Sequence, residues 1–555
     1  MKKKNDYKNY FKNVFVPVLV YGAFTGLLVG TIVFFFKWVA EWLSEKSVEI
    51  YRAAQKNPWI AVAVVAGAIA LAFVAWLLQR WAPETKGGGI PRAEGVLRGI
   101  LTFRWLRTGI AVLLNSWISF FAGLPLGSEG PSVLLGTAIG GGTCKLPLSH
   151  DSWDRYIMTG GASAGFAVAT GAPVTGLLFA LEEAHKRFTP MIFLMATSSV
   201  LFGVTASNLW SMLFHHVGLL EHYPAPLFSV VNMGEFAMKD IWIPLLLGVA
   251  VAIVACGYNL FVFVMGKLYD GKLKKIPQWA KLAAVFVITA VTGLIAFGNF
   301  DGTDALFGGG GLIVKLTDTE RFSWGIVFAL FLIRFLTIAF ATSSGATGGV
   351  FIPMLSIGAL LGALLGKAFL AWGMDEGLYA TVVMLSMSAF MGASTRAPLT
   401  ALVFMVECTW SFSNLFYVAI TVFVSYLICE LVKVEPLYDV LLERMTEQQN
   451  RGKTHKIIEM KYVVKSGAFA VGKSIRDVLW PANTKVRQIE AGNISRMDDD
   501  GEKKIHVGDT VTLITQTYDE QATIKELNDI LGKQEDISDQ TRGDAQVSDQ
   551  TNPKQ

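Results

Sequence analysis

Few side chains in this chain are placed to do chemistry, and the foremost is a carboxylate. Glu129 lies in Gly127-Ser128-Glu129-Gly130-Pro131, with apolar sequence from Trp105 to Leu126 before it and from Val133 to Gly142 after it. Gly130 permits close backbone approach and Pro131 suits the first turn of a helix, so Glu129 is expected to head a helix. A helix start exposes unpaired N–H groups and the positive end of the dipole, which inside a bilayer makes a site for an anion. The Glu129 carboxylate can fill that site itself. Once protonated it loses its attraction to the helix end and yields the place to a soluble anion, which couples protons to anions. The plainer alternative is a glutamate capping a helix in a polar loop.

Other reactive residue types read as structure. Gly161-Ala162-Ser163-Ala164-Gly165 spells the G-x-S-x-G of a nucleophile elbow, but in an apolar run of small residues without a strand-turn pattern. Helix packing accounts for it better, since small residues four apart let membrane helices approach closely, and Gly136 with Gly140 and Gly358 with Gly362 repeat the spacing. The histidines, His150, His185, His215, His216, His222, His455 and His506, show no metal-ligand spacing and read as loop and interface residues. Cys144, Cys256, Cys408 and Cys429 are scattered through apolar segments with no CxxC pair and read as small core residues. Arg334 and Arg396 lie in or beside apolar stretches, with structural pairing or snorkelling as the expected use. Glu407 shows no proton role. Gly308 to Gly311 reads as a flexible re-entrant turn with no phosphate-binding Lys-Ser/Thr after it. No cofactor, metal or nucleic-acid partner is expected.

These residues need a scaffold, and composition says which kind. The chain of 555 residues is 52% hydrophobic and 17% charged, with a net charge of +4, and its mean hydropathy is +0.45. That is too apolar for a soluble protein of this size and implies a polytopic membrane protein. Apolar stretches able to cross a bilayer or most of one begin near Val14, Trp59, Thr108, Tyr156, Met191, Ile241, Trp279, Trp324, Val350, Tyr379 and Leu399. The first 13 residues carry five Lys and one Asp, and the apolar run from Val14 to Ala40 has no small-residue cleavage site. A cytoplasmic N-terminus is expected, rather than a removed signal peptide.

The chain also looks duplicated. Ala172 to Glu182 aligns without a gap on Ala397 to Glu407, and Gly127, Pro131, Gly136 and Gly140 fall on Gly349, Pro353, Gly358 and Gly362. This alignment sets Glu129 opposite Phe351. Paired segments interrupted by Gly and Pro in the two halves of a transporter point to a midplane binding site, at which two broken helices would aim their N-termini.

Four segments then carry a family resemblance. Gly87-Gly88-Gly89-Ile90-Pro91, Gly127-Ser128-Glu129-Gly130-Pro131, Gly348-Gly349-Val350-Phe351-Ile352-Pro353 and Pro436-Leu437-Tyr438, with the Glu182-Glu183 pair, follow the order and type of the signature segments of the CLC chloride channel and transporter family. The resemblance covers roughly residues 14–445. It implies an all-α membrane fold of two inverted halves with broken helices, assembled as a homodimer with an anion pathway in each subunit. It further implies chloride or a similar anion as substrate, bound at Gly88, Gly89, Ile90 and Gly130, by the backbone N–H groups of Phe351 and Ile352, and by the Tyr438 hydroxyl. Glu129 resembles the family's external gating glutamate, and Glu183 the internal proton-transfer glutamate that exchangers generally keep and channels generally lack. Proton antiport through Glu129 and Glu183 is the expected activity, with a passive anion channel as the alternative and an intramembrane hydrolase built on Ser163 as a third reading. Two positions depart from the pattern. Gly88 stands where chloride-selective members have Ser, which removes a hydroxyl donor. Ser128 stands where Arg or Lys is usual, which removes a positive charge.

After Met445 the composition turns polar. Residues 446–456 read as a linker and residues 457–533 as a small α+β unit facing the cytoplasm. Strands are expected at Lys461 to Lys465, Lys485 to Ala491 and His506 to Thr515, with helices from Ser474 to Trp480 and Tyr518 to Leu531. This order, with Val471-Gly472-Lys473-Ser474 and Gly508-Asp509, resembles the C-terminal regulatory domain of TrkA/RCK type. Such a domain would dimerise and bind a small ligand, or serve only for assembly. Residues 534–555 are polar and free of aromatics, which predicts a disordered tail. The whole is expected in a prokaryotic plasma membrane with both termini cytoplasmic.

Overall fold

The computed structural model describes residues 15–145, 151–220, 227–228, 231–299, 301–491, 494–497 and 501–534. The basic segment 1–13, the tail beyond Gln534, His150 and His222 lie outside them. The chain forms two compact units that divide between Gly452 and Lys453.

The regular elements of the first unit are helices among the described residues. In chain order it contains α1 (Val16–Lys56), α2 (Pro58–Trp81), α3 (Gly89–Leu97), α4 (Trp105–Phe121), α5 (Glu129–Thr143), α6 (Asp154–Thr170), α7 (Pro173–Leu178), α8 (Pro190–His216), α9 (Trp242–Asp270), α10 (Gln278–Asn299), α11 (Gly310–Lys315), α12 (Trp324–Ser344), α13 (Phe351–Ala371), α14 (Tyr379–Thr395), α15 (Pro398–Thr409), α16 (Leu415–Val432) and α17 (Leu437–Gln449). Among the described residues, nine helical stretches are long and apolar enough to cross a membrane. Large apolar side chains such as Trp59, Ile253, Phe423 and Leu431 stand exposed, as lipid-facing positions must in a bundle whose backbone groups are satisfied within each helix. α5, α6, α13 and α14 are buried almost from end to end.

The apolar sequence before Glu129 forms α4, which ends at Phe121, and α5 opens at Glu129 as expected. One apolar stretch divides differently from the sequence expectation: the run from Leu399 holds two helices, α15 and α16, separated by a left-handed Trp410. A continuous apolar window gives no sign of that break.

Small residues set the packing. A methyl group on Gly136 would lie 2.1 Å from the Gly161 carbonyl, and one on Gly30 would lie 2.0 Å from the Gly203 carbonyl, so α5 with α6 and α1 with α8 meet backbone to backbone. Gly161 and Gly165 are spent on this contact, which answers the nucleophile-elbow reading of the same residues.

The duplication is visible in three dimensions. α5 packs on α6 as α13 packs on α14, and α1 packs on α6 and α8 as α9 packs on α14 and α16. The two copies then cap one another. Glu182 accepts from Leu399 N (3.0 Å), Thr400 N (2.6 Å) and Thr400 Oγ1 (2.6 Å) at the start of α15. Its repeat partner Glu407 accepts from Val174 N (2.8 Å), Thr175 N (2.7 Å) and Thr175 Oγ1 (2.6 Å) at the start of α7. Each carboxylate satisfies helix-start donors that have no partner of their own and meets the positive end of the dipole.

Both arginines beside apolar segments are structural. Arg334 is fully buried and donates to Ser356 Oγ and to the carbonyls of Asp304, Leu306, Phe307 and Gly308 at 2.7–3.1 Å. The Gly308 to Gly311 turn, expected to be flexible, is thereby tied down at Gly308 O, and the segment leading into it at three further carbonyls. Arg396, at φ 62°, gathers the carbonyls of Ala393, Cys429 and Val434 and pairs with Glu430.

The second unit is an antiparallel sheet of β1 (Lys456–Val463), β2 (Thr484–Ala491), β3 (Ile494–Met497) and β4 (Thr510–Thr517) in the order β1-β4-β2-β3, with α18 (Glu520–Leu531). Val511 and Leu513 of β4 face Leu527, Ile530 and Leu531 of α18 in one small core. The helix expected from Ser474 to Trp480 is a single 3₁₀ turn at Ile475–Asp477: Trp480 Nε1 donates back to Ile475 O at 2.9 Å, closing the turn. The first strand lies earlier than expected, the last begins later, and β3 was not foreseen. Lys473 of the Val-Gly-Lys-Ser motif folds onto its own segment, with Nζ 3.1 Å from the Phe469 ring centroid, and burial pulls it down to about 7.

Candidate functional site

Three helices of the first unit begin at nearly one place. Gly88 precedes α3, Glu129 opens α5 and Phe351 opens α13. Their approach depends on glycine: a methyl group on Gly89 would lie 1.9 Å from Gly130 O, and one on Gly130 would lie 2.8 Å from Gly349 Cα. Repeat partners Gly127 and Gly349 pair directly, each N–H donating to the other's carbonyl at 2.7 Å in an isolated antiparallel bridge. The two halves therefore meet at the starts of their broken helices. Phe351 and Ile352 are the first two residues of α13, where helix N–H groups lack an intrahelical acceptor.

Glu129 and Phe351 occupy equivalent positions with opposite chemistry. The Phe351 ring is held edge-on between Phe166 (5.1 Å) and Phe404 (5.2 Å). The Glu129 carboxylate is 5% exposed, accepts from Ser128 Oγ at 3.1 Å, and leaves Oε2 with no hydrogen-bond partner among the described residues. The Ile352 amide lies beside it. Burying an ionisable group here costs on the order of 3 kcal/mol, so its retention needs a use.

Tyr438, the second residue of α17, points a buried hydroxyl into the same interior, again without a partner. Glu129, Glu183 and Glu94 all lie within electrostatic reach of it. Glu183 follows α7 in a π-helical turn, Phe179–Ala184. The wider turn parts two neighbouring carboxylates: Glu182 turns out to cap α15, while Glu183 is buried with both oxygens unpartnered. Such π turns recur at functional positions.

Glu94 was missed in the sequence, although it sits four residues past Ile90 in a helix buried along its whole length. It pairs with Arg98 at 3.3 Å. Arg98 also donates to the Glu183 and Ala184 carbonyls at 2.7 and 2.8 Å and reaches Asp439 at 3.5 Å, so one guanidinium joins α3, the π turn and α17. An ionisable residue inside an apolar short helix was the available signal.

At Gly88 the backbone is ordinary, with φ −69° and ψ 139°. A side chain there would meet Pro91 Cδ at 3.5 Å and Gly348 O at 3.9 Å, normal contact distances. Beside it a cavity of about 70 Å³ is lined by Lys86, Gly87, Gly88, Lys281 and Arg444 among others. Ser163 Oγ is buried with no hydrogen-bond partner, and His185 is engaged with Thr159 Oγ1 at 2.8 Å; no catalytic pair forms there among the described residues.

Residues 70–430 match the family described as voltage gated chloride channel. The H(+)/Cl(-) exchange transporter ClcA of Salmonella typhimurium is 29% identical over 391 residues, 69% of this chain and 78% of that one. The protein of the same name from Cronobacter sakazakii is 31% identical over 383 residues, 67% and 78% of the two chains. A slow cyanobacterial Cl-/H+ antiporter superposes with a TM-score of 0.70 at 25% identity over 78% of this chain and 99% of that one. A CLC-type fluoride/proton antiporter shares the fold, with a TM-score of 0.61 at 19% identity over 77% and 98%. The broken helices, their glycine contacts and this extended match agree, and the chain belongs to the voltage gated chloride channel family, the CLC proteins.

Proposed function

We propose that this protein exchanges chloride for protons across the membrane. The observation that carries the reading is the pair of buried carboxylates, Glu129 and Glu183, each with an unpartnered oxygen and both within electrostatic reach of an unpartnered Tyr438 hydroxyl. The names of the similar ClcA proteins and of the cyanobacterial antiporter support it. An anion is held by the N–H groups at the starts of α3 and α13, with Gly88, Gly89, Ile90, Gly130, Phe351 and Ile352 around it and the Tyr438 hydroxyl donating. Glu129 in its charged form competes for that place. On protonation it leaves, the anion advances, and Glu183 exchanges the proton with the opposite side away from the anion path.

In the same reading the protein works as a homodimer in a prokaryotic plasma membrane, with both termini cytoplasmic. Residues 14–445 carry transport, 446–456 link, and 457–533 tune it by binding a small ligand or by assembly. Purified protein in chloride-loaded vesicles tests the central claim. A chloride gradient is expected to drive protons uphill, and Glu129→Ala to keep anion flux while losing proton movement. Anion flux without proton movement in the unaltered protein would mean a passive channel, and uphill protons in Glu129→Ala would overturn the role of that carboxylate.

A further inference from the structure

Glu129 has no Lys or Arg beside it in sequence, since Ser128 precedes it and Gly130 follows. The fold brings one from another helix. α5 and α6 run antiparallel in close contact, and glycine marks their register: a methyl group on Gly140 would lie 3.0 Å from Ile157 O, one on Gly136 2.1 Å from Gly161 O, and one on Gly165 2.3 Å from Ser132 O. Each step of four residues back along α5 is a step of four forward along α6. One more step sets Ser128 level with Ala169.

Ala169 lies in the last turn of α6, where carbonyls are unpaired and the dipole is negative. Lys37 of α1 donates its Nζ to Ala169 O at 2.7 Å. α1 packs on both α5 and α6, so the ammonium is pinned at the level of Ser128, one residue from the buried carboxylate. Lys37 lies within electrostatic reach of Glu129, as do the Ile352 amide of α13 and the Tyr438 hydroxyl of α17. None of the carboxylates among the described residues forms an ion pair with Lys37. Its charge is left to act on what enters the path.

We infer that Lys37 supplies, from α1, the positive charge at the Glu129 end of the anion path, drawing anions to it and favouring the charged form of Glu129. This rests on the exchange reading above. A fixed ammonium raises the local anion concentration and weakens with added salt.

Transport in vesicles, measured against chloride concentration and pH on the Glu129 side, tests it in three variants. Lys37→Gln keeps a donor for Ala169 O but removes the charge; it is expected to need roughly threefold to tenfold more chloride for half-maximal transport. Its pH profile should move to higher pH, because a carboxylate with less positive charge nearby holds its proton longer. Lys37→Arg should behave as the unaltered protein, and adding Ser128→Arg to Lys37→Gln should restore the chloride dependence. An unchanged dependence in Lys37→Gln, or a loss that Ser128→Arg does not repair in a folded protein, would overturn the inference and leave Lys37 as a fastener of α6. Should Lys37→Gln fail to fold, Ser128→Arg alone adds a second charge at the same level. It is then expected to lower the chloride requirement, and no change would overturn the idea. If the unaltered protein moves chloride without protons, the exchange reading fails, while the chloride dependence of these variants still decides the role of Lys37.

Discussion

A serine at position 88 would sit on ordinary extended backbone, in contact with Pro91 and Gly348 at normal distances. Its hydroxyl could then donate to a small, strongly hydrated anion, an interaction of about 1–3 kcal/mol for a charged partner. We expect the unaltered protein, which offers only backbone at Gly88, to discriminate weakly between chloride and nitrate, and Gly88→Ser to favour chloride. Equal flux ratios in the two folded proteins would show that residue 88 does not set selectivity. Glu183 makes a separate case, because both of its oxygens are buried and unpartnered. Glu183→Gln is expected to stop proton movement and keep chloride flux, and an unchanged proton-to-chloride ratio would remove it from the path. Glu129 could be singled out in the sequence because its segment combines Gly, Pro and a carboxylate in apolar surroundings, and Tyr438 only because Pro436-Leu437-Tyr438 resembles a family segment. Lys37 could not, since its meaning comes from helices far away in the chain, whereas Glu94 carried a signal, an ionisable residue in a short apolar helix, that went unread.

At the scale of elements, the repeat explains a residue that looked idle. Glu407 had no derivable role in the sequence, yet it caps α7 as Glu182 caps α15, through the same pattern of two backbone amides and one threonine hydroxyl. The alignment of Ala172 to Glu182 on Ala397 to Glu407 contained this reciprocity, but only the folded halves show that each motif serves the other. Removing a charged cap of this kind costs about 1–2 kcal/mol. Glu407→Ala and Glu182→Ala should each lower the unfolding temperature of the purified protein, and Glu407→Ala should leave the proton-to-chloride ratio unchanged. A Glu407→Ala protein as stable as the original would show the cap to be incidental. Element boundaries were harder to read than element existence. The π turn that separates Glu182 from Glu183 has no composition of its own, and the stretch from Ser474 to Trp480 has a plausible helix cap but too little length beyond Asp477 to propagate a helix.

The molecule as a whole is a duplicated helical unit followed by a separate small sheet. The duplication was readable because glycine and proline positions recur in register, and the membrane setting because apolar composition is extreme. The place where the halves join was less so: the Gly127 to Gly349 bridge pairs residues that the alignment made equivalent, without saying that they touch. All the groups assigned to transport, from Lys37 to Tyr438, lie in the first unit, and α17 continues to Gln449 within it. The second unit has its own core, built on Val511, Leu513, Leu527 and Ile530. Truncation after Gly452 should therefore leave a folded membrane unit that still couples chloride to protons, with a changed rate as the expected effect of losing the second unit. Vesicle transport by the truncated protein, after its folding is checked by gel filtration, measures this. A truncated protein that inserts and stays folded but moves chloride without protons would mean that the second unit takes part in coupling itself, and that the separation of transport from regulation at Gly452 is wrong.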